Sequence, residues 1–470
     1  MTNETELPSS PRASSPRAGT LRELISIALP LIISSSSQSL MHVVDRIFLM
    51  SHSRSEFSAA MPAGLTNWTI ISFAFGTALY TNVFVSQYVG ANQKDKVTAV
   101  IWQGVYASLM LGLVLLISLP LAPFLFSLYG HAPEVQKFEV HYFSILCLGT
   151  TPLLIGTVLS GFFTGRGKNQ VVMYVNLCAV GLNALLDYLL IFGIGPFPEL
   201  GIRGAAIGTI AAFSLTALAY AIVIWKVAEE DGFDFMRNRS FDRDLIGRMM
   251  RFGFPTGVQI FADGAGITLV IIVVGKLGEL PLAATNLAFN LNSLAFVPMI
   301  GLGVAVSTLV GRRVGENRSA LAIRTTWYAV GMALFYMALW MVGYLFFPNA
   351  IMTPYLVFAQ EADSPELRQM VIVLLWFVSL YALFDAFAII FGNAIRGAGD
   401  TRFSMIVMTL ASLLFLAIPA GIITIYFENN LYLCWTAATI YIMALGVIFF
   451  LRFQSKKWMT MKVIEEEPTV

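Results

Sequence analysis

The chain has 470 residues, 57% of them hydrophobic and only 12% charged, with a mean hydropathy of +0.74. A soluble domain carries about 25% charged residues, so this composition excludes an ordinary water-soluble fold and points to the membrane. A net charge of +1 argues against nucleic acid as a partner, and the three cysteines (Cys147, Cys178 and Cys434), each inside an apolar run, offer neither a disulfide framework nor a zinc site.

In chain order, residues 1–21 are polar and read as a disordered cytoplasmic tail, with no signal-peptide pattern before the first apolar segment. A bilayer span needs about 20 mostly apolar residues. Twelve stretches qualify: 24–50, 58–85, 97–127, 139–163, 171–194, 202–226, 249–275, 281–311, 321–347, 369–394, 403–426 and 431–454. With the N-terminus inside, 23 of the 29 Lys and Arg fall in inside segments, as the positive-inside rule requires. Both termini are therefore expected in the cytoplasm, around a multi-pass protein of the cell inner membrane. The charged stretch 227–245 reads as a cytoplasmic linker between an N-lobe (22–226) and a C-lobe (246–455), and 456–470 as a second cytoplasmic tail.

The two halves repeat. "VFVSQYVGANQKDKVTAVIWQGV" resembles "TLVGRRVGENRSALAIRTTWYAV", matching Gly90 with Gly315, Asn92 with Asn317 and Trp102 with Trp327 at a constant offset of 225. The same offset pairs Pro30 with Pro255, Asn67 with Asn292 and Gly76 with Gly301. Further along, at an offset of 232, Gly165 and Gly167 match Gly397 and Gly399. Six spans per copy start both copies on the same side. The predicted fold class is an all-α polytopic membrane protein of 12 transmembrane helices in two six-helix lobes. These are parallel repeats about a pseudo-two-fold along the membrane normal, with a central cavity.

Four aspartates interrupt the apolar spans: Asp45, Asp187, Asp263 and Asp385. Each costs about 2.5–3.5 kcal/mol at a helix centre, so four would cost roughly 10 kcal/mol, comparable with the whole stability of a domain. Such acids mark ion or proton pathways more often than they serve packing. Asn183 stands one helical turn before Asp187, on the same face. Asp45 falls where span one either ends at the outer interface or continues through "IFLM". Thr209, two turns into span six, is expected at the same depth. Two carboxylates, an amide oxygen and a hydroxyl form an all-oxygen set that suits a hard cation such as Na⁺. They suit equally a proton shared between close carboxylates. His42, one turn before Asp45, is a candidate proton relay or an interfacial histidine. Pro30 and Pro255 remove a backbone hydrogen bond each and are candidate hinges or static kinks.

An Asp in span one, "NxxxD" in span five, the "GAAIGT" run in span six, "VGxN" after span two and "RGxGDT" after span ten together resemble the multidrug and toxic compound extrusion (MATE) family over residues 20–455. The resemblance implies two lobes around a cleft, alternating between outward- and inward-facing states, and export of organic cations in exchange for Na⁺ or H⁺. By position Asp45, Asn183, Asp187 and Thr209 match the family's N-lobe cation site. Asp263 and Asp385 match acidic positions of the NorM branch, which usually carries Glu where this chain has Asp263. The expected function is a secondary active multidrug antiporter of amphipathic, cationic compounds. It needs no cofactor beyond the coupling ion, and its partners are small organic molecules and the bilayer, with no obligate protein partner. The alternatives are a lipid-linked oligosaccharide flippase, which would want a cationic cleft, and a membrane-embedded enzyme. For the latter no HExxH, GxSxG or P-loop pattern is present.

Overall fold

The structure is a computed structural model that describes residues 18–228, 230–359, 364–426 and 430–465. Most of the expected N-terminal tail, and residues 466–470 of the C-terminal one, lie outside the described residues. The first lobe comprises α1 (Leu21–His52), α2 (Arg54–Leu79), α3 (Thr81–Gly90), α4 (Lys94–Leu115), α5 (Ala122–Ser127), α6 (Pro133–Leu148), α7 (Thr150–Gly165), α8 (Asn169–Phe192) and α9 (Ile202–Ala228). The second comprises α10 (Arg243–Gly275), α11 (Glu279–Gly315), α12 (Ser319–Phe346), α13 (Pro348–Ala359), α14 (Pro365–Ala398), α15 (Thr401–Ala411), α16 (Ile418–Tyr426) and α17 (Leu431–Gln454).

Among the described residues eleven helical runs are long and apolar enough to cross a membrane, and a twelfth forms if α6 and α7 count as one span bent by 42°. The bend falls at Gly149, where an added Cβ would lie 2.6 Å from Ile210 of α9, and Pro152 follows within the first turn of α7. Span eleven widens into a π-helical stretch over Ser412–Ala417. The cause is Pro419, which has no N–H for the preceding turn. Pro30 and Pro255 lie buried inside uninterrupted helices. Thr20 caps α1 by accepting a hydrogen bond from the Glu23 amide.

The lobes meet through α1 against α11 and α2 against α10. Lipid offers no hydrophobic drive for helix association, so close approach of small residues must hold such contacts. That is what the repeat glycines do. A Cβ on Gly76 would lie 2.6 Å from the Gly257 Cα, and one on Gly301 2.7 Å from the Ile32 Cα. Residue 32 plus the repeat offset is residue 257, so the two contacts are one contact seen twice. Likewise Gly90 abuts the Arg312 carbonyl and Gly315 the Gln87 carbonyl, at 2.2 and 2.1 Å from the hypothetical Cβ. Gly311 meets Ser86, its own repeat mate, on the axis. Asn92 and Asn317 end the matched helices with the same left-handed backbone, φ 61° and 56°, a conformation asparagine tolerates better than most residues.

All these contacts lie in the half of the bundle that carries the chain termini. Inter-lobe hydrogen bonds lie there too, among them Ser35 to the Val297 carbonyl, Tyr80 to the Arg396 carbonyl, Gln87 to the Gly397 carbonyl, and Arg313 to Glu23. In the opposite half, α1 exposes Val43 and Ile47, α2 exposes Met61 and Trp68, and α10 exposes Ile267 and Ile272. Among the described residues, the close backbone contacts and hydrogen bonds between the lobes lie at the terminal end.

Two segments strap the closed end. In the linker, Asp231 accepts from Arg166 at 2.5 Å and Lys168 at 2.7 Å. These partners, Arg166 foremost, hold its carboxyl below the usual carboxylate range. Arg166 in turn lies 4.5 Å from the ring centres of Phe162 and Phe233. At the C-terminus Trp458 is fully buried, the Val463 amide donates to Gln87, and Glu465 accepts from Tyr88 of the first lobe and Arg248 of the second.

Replacing Gly257 with Val sets a Cβ 2.1 Å from the Phe73 carbonyl, an overpacking cost of about 1–3 kcal/mol that only parting of the lobes relieves. Spin labels at positions 94 and 320, in a background without native cysteines, should move apart in this variant. An unchanged distance distribution would show that the contact does not hold the closed end.

Candidate functional site

The face of α8 that meets α1 carries a polar stripe: Asn169, Asn176 and Asn183 at intervals of two helical turns, then Asp187. The first two bond to α1, although Asn169 Oδ1 is left without a partner. Asn169 donates to the Ile27 carbonyl at 2.8 Å and Asn176 to Ser34 at 2.6 Å. Asn176 also accepts from Tyr220 of α9 at 2.9 Å. The last two are not satisfied. Asn183 and Asp187 are fully buried and Asp45 is 5% exposed, which places Asp45 in the interior, the reading span one left open. The Asp45 and Asp187 carboxyls are side-chain neighbours, with Asn183 beside Asp187. Yet Asp45 Oδ1, both Asp187 carboxyl oxygens and both polar atoms of Asn183 have no hydrogen-bond partner.

The "GAAIGT" run serves this pocket. A Cβ on Gly208 would lie 2.2 Å from Asp187 Oδ1, and one on Gly204 2.6 Å from the Leu190 carbonyl. Only glycine lets α9 come this close to α8. Thr209, 5% exposed, donates its hydroxyl back to the Ala205 carbonyl at 2.9 Å and makes no hydrogen bond to either carboxylate. His42 lies on the exposed side of α1. Sequence reading missed Tyr142 of α6, which is buried within electrostatic reach of both Asp45 and Asp187. Nothing in the local pattern around it marks it.

Buried carboxylate oxygens without donors are costly, and a cation or proton is what relieves them. The donor set is oxygen throughout, which fits Na⁺ or H⁺ and not a soft metal. Among the described residues no group of three or more His, Cys, Asp or Glu converges as a metal centre.

Asp263 and Asp385 form a separate cluster in the second lobe. Asp263 accepts from the Tyr441 hydroxyl of α17 at 3.1 Å and is in electrostatic reach of Asp385 and Arg396. Counted among the inner-segment charges in the sequence, Arg396 belongs to the last turn of α14. Its side chain donates to Gln259 at 3.3 Å, one turn before Asp263 on α10. The signal was present, since positions 385 and 396 are three turns apart and share a helix face. The two sets do not merge: Asp45, Asn183 and Asp187 lie between α1 and α8, and Asp263 and Asp385 on α10 and α14.

The MatE family model matches residues 30–189 and 255–423, more than half of the chain. A "Probable multidrug resistance protein NorM" from Thermotoga maritima is 27% identical over 459 residues, 95% of each chain. A "Multidrug resistance protein NorM" from Burkholderia vietnamiensis is 26% identical over 385 residues, 82% of each. A solved structure described as the outward-facing conformation of a multidrug resistance MATE family transporter superimposes with a TM-score of 0.83. It is 21% identical and covers 94% of this chain and 98% of that one. A MOP superfamily transporter from Pyrococcus furiosus, described as having a binding pocket of reverse polarity, gives 0.82 at 21% identity, with the same coverage. The likeness to both structures is one of fold. Matched in fold by these transporters and in sequence by the family model across both lobes, the chain is a NorM-like member of the MatE family, a multi-pass membrane transporter and not an enzyme.

Proposed function

We propose that this transporter exports amphipathic, cationic organic compounds across the inner membrane, driven by inward movement of Na⁺ or H⁺, with both termini in the cytoplasm. The observation that carries the reading is the carboxylate pair Asp45 and Asp187, buried with oxygens that lack a hydrogen-bond partner inside one of two lobes whose close backbone contacts, among the described residues, lie at one end. The names of the relatives support a multidrug substrate range. In this orientation the cleft faces outward.

The coupling ion enters from the outer side and neutralises the two carboxylates. This removes their mutual repulsion and lets α1, α8 and α9 repack. The ion biases the lobe equilibrium only by its differential affinity for the two states, and a site wholly inside one lobe must act through the shape of α1, which also forms the seam. The organic cation binds in the cleft nearer the second lobe, where Asp263 and Asp385 supply negative charge. Pro30 and Pro255 allow α1 and α10 to bend as the seam opens. A flippase of lipid-linked sugars would ask for a cationic cleft, whereas Arg396 is one cation set against two carboxylates.

Asp45→Asn and Asp187→Asn should each reduce export of a fluorescent organic cation to background while membrane insertion and yield persist. Full export by both rejects the ion site. A gentler probe is Gly208→Ala: its Cβ displaces only the tip of Asp187, so the fold should hold while ion-driven export drops severalfold. Normal coupling in this variant would show that the carboxylate position does not matter. The ion itself is read from vesicles given a Na⁺ gradient alone and then a pH gradient alone. Export under neither gradient overturns antiport.

A further inference from the structure

Several arginines at the terminal end of the bundle are paired. Arg166 meets Asp231, Arg248 meets Glu465, Arg313 meets Glu23 and Glu316, and Arg452 meets Asp400. Arg251 and Arg402 are unpaired, as are Arg22, Arg237, Arg239 and Arg243, but these two line one groove. Both are exposed, and neither makes a hydrogen bond or ion pair with the described residues. They stand at the mouth of one groove of about 560 Å³ between α10 and α15, whose walls include Met250, Phe254, Met405 and Ile406. Phe254 is 42% and Ile406 51% exposed, so the apolar wall is uncovered by protein. Pro255 lies on the α10 side of the groove, four residues after Arg251. On its other side Phe254 meets Phe73 of the first lobe edge to face, ring centres 4.3 Å apart. The groove thus borders the seam between the lobes.

We propose that this groove seats an anionic phospholipid from the leaflet at the terminal end. The two guanidiniums hold its phosphate and an acyl chain lies along Phe254, Met405 and Ile406. Guanidinium matches phosphate oxygens in a planar, bidentate fashion and is weakly hydrated, which suits it to the headgroup level. Basic pockets on the cytoplasmic side of membrane helices bind acidic headgroups. A free phosphate would leave the apolar wall bare, and a zwitterionic lipid brings an ammonium of its own towards two unpaired cations. A lipid seated here leans on Phe254, and through it on Phe73, and so favours lobes closed at this end.

The test is lipid retention by the full-length protein, measured by native mass spectrometry from micelles holding equal amounts of phosphatidylglycerol and phosphatidylcholine. The parent should retain phosphatidylglycerol selectively. Arg251→Gln and Arg402→Gln should each lower that preference about fivefold, from the worth of one basic residue near an anionic surface. The double variant should nearly abolish it, Arg251→Lys with Arg402→Lys should keep part of it, and Arg237→Gln, an exposed linker control, should keep all of it. Thermal unfolding in phosphatidylcholine alone checks that the exposed substitutions leave the fold intact. No preference in the parent, or an unchanged preference in the double glutamine variant, overturns the proposal. So does excess inorganic phosphate stripping the lipid as fully as the double substitution, which would make the site one for free phosphate.

Discussion

Contact of backbone with backbone, without side chains between, is the constraint on which the molecule is built. Gly76 against Gly257, Gly301 against Ile32, Gly90 against Arg312 and Gly315 against Gln87 bring α1, α2, α3, α10 and α11 closer than any Cβ allows. Because each contact recurs under the repeat, the seam is symmetric and its halves close together. A seam of this kind gains dispersion and loses no buried polar group when it parts, provided water or polar partners meet the exposed backbone. That property suits a body that must open at one end while closing at the other.

The two acidic sets differ in their degree of satisfaction. In the first lobe Asp45, Asp187 and Asn183 leave polar atoms bare in a dry interior, and the basic groups in electrostatic reach of Asp45, His42 and Arg46, make no hydrogen bond to it among the described residues. In the second lobe Tyr441 already donates to Asp263 and Arg396 stands near. A site that lacks its countercharge binds a small ion strongly and changes shape on doing so. A site that keeps part of its countercharge tolerates bulkier guests and binds each of them less tightly. In the proposed mechanism the first lobe takes the ion and the second the cargo.

Much of this was legible in the chain. The apolar runs and the repeat offset follow from periodicity and composition, and among the described residues the structure realises eleven of the twelve runs as helical spans, the twelfth as the bent pair α6 and α7. The Asn183–Asp187 pairing follows from one helical turn. Three features were not legible, for different reasons. The bend at Gly149 depends on Ile210 of a helix some sixty residues away, and local propensity does not report such a neighbour. Tyr142 joins the first site through tertiary packing alone. The reach of Arg396 to Gln259 on α10 is tertiary too, because a long side chain places its charge several ångström from its own Cα.

The C-terminal strap has a practical corollary. Trp458 anchors it, and Val463 and Glu465 grip partners on both lobes. The closed face can spread only after these grips are released, so the last described residues belong to the energetics of rocking and not merely to the periphery. A purification tag or reporter fused a few residues downstream would pull on that fastening. Turnover measured with such a fusion would describe a machine whose clasp has been loosened.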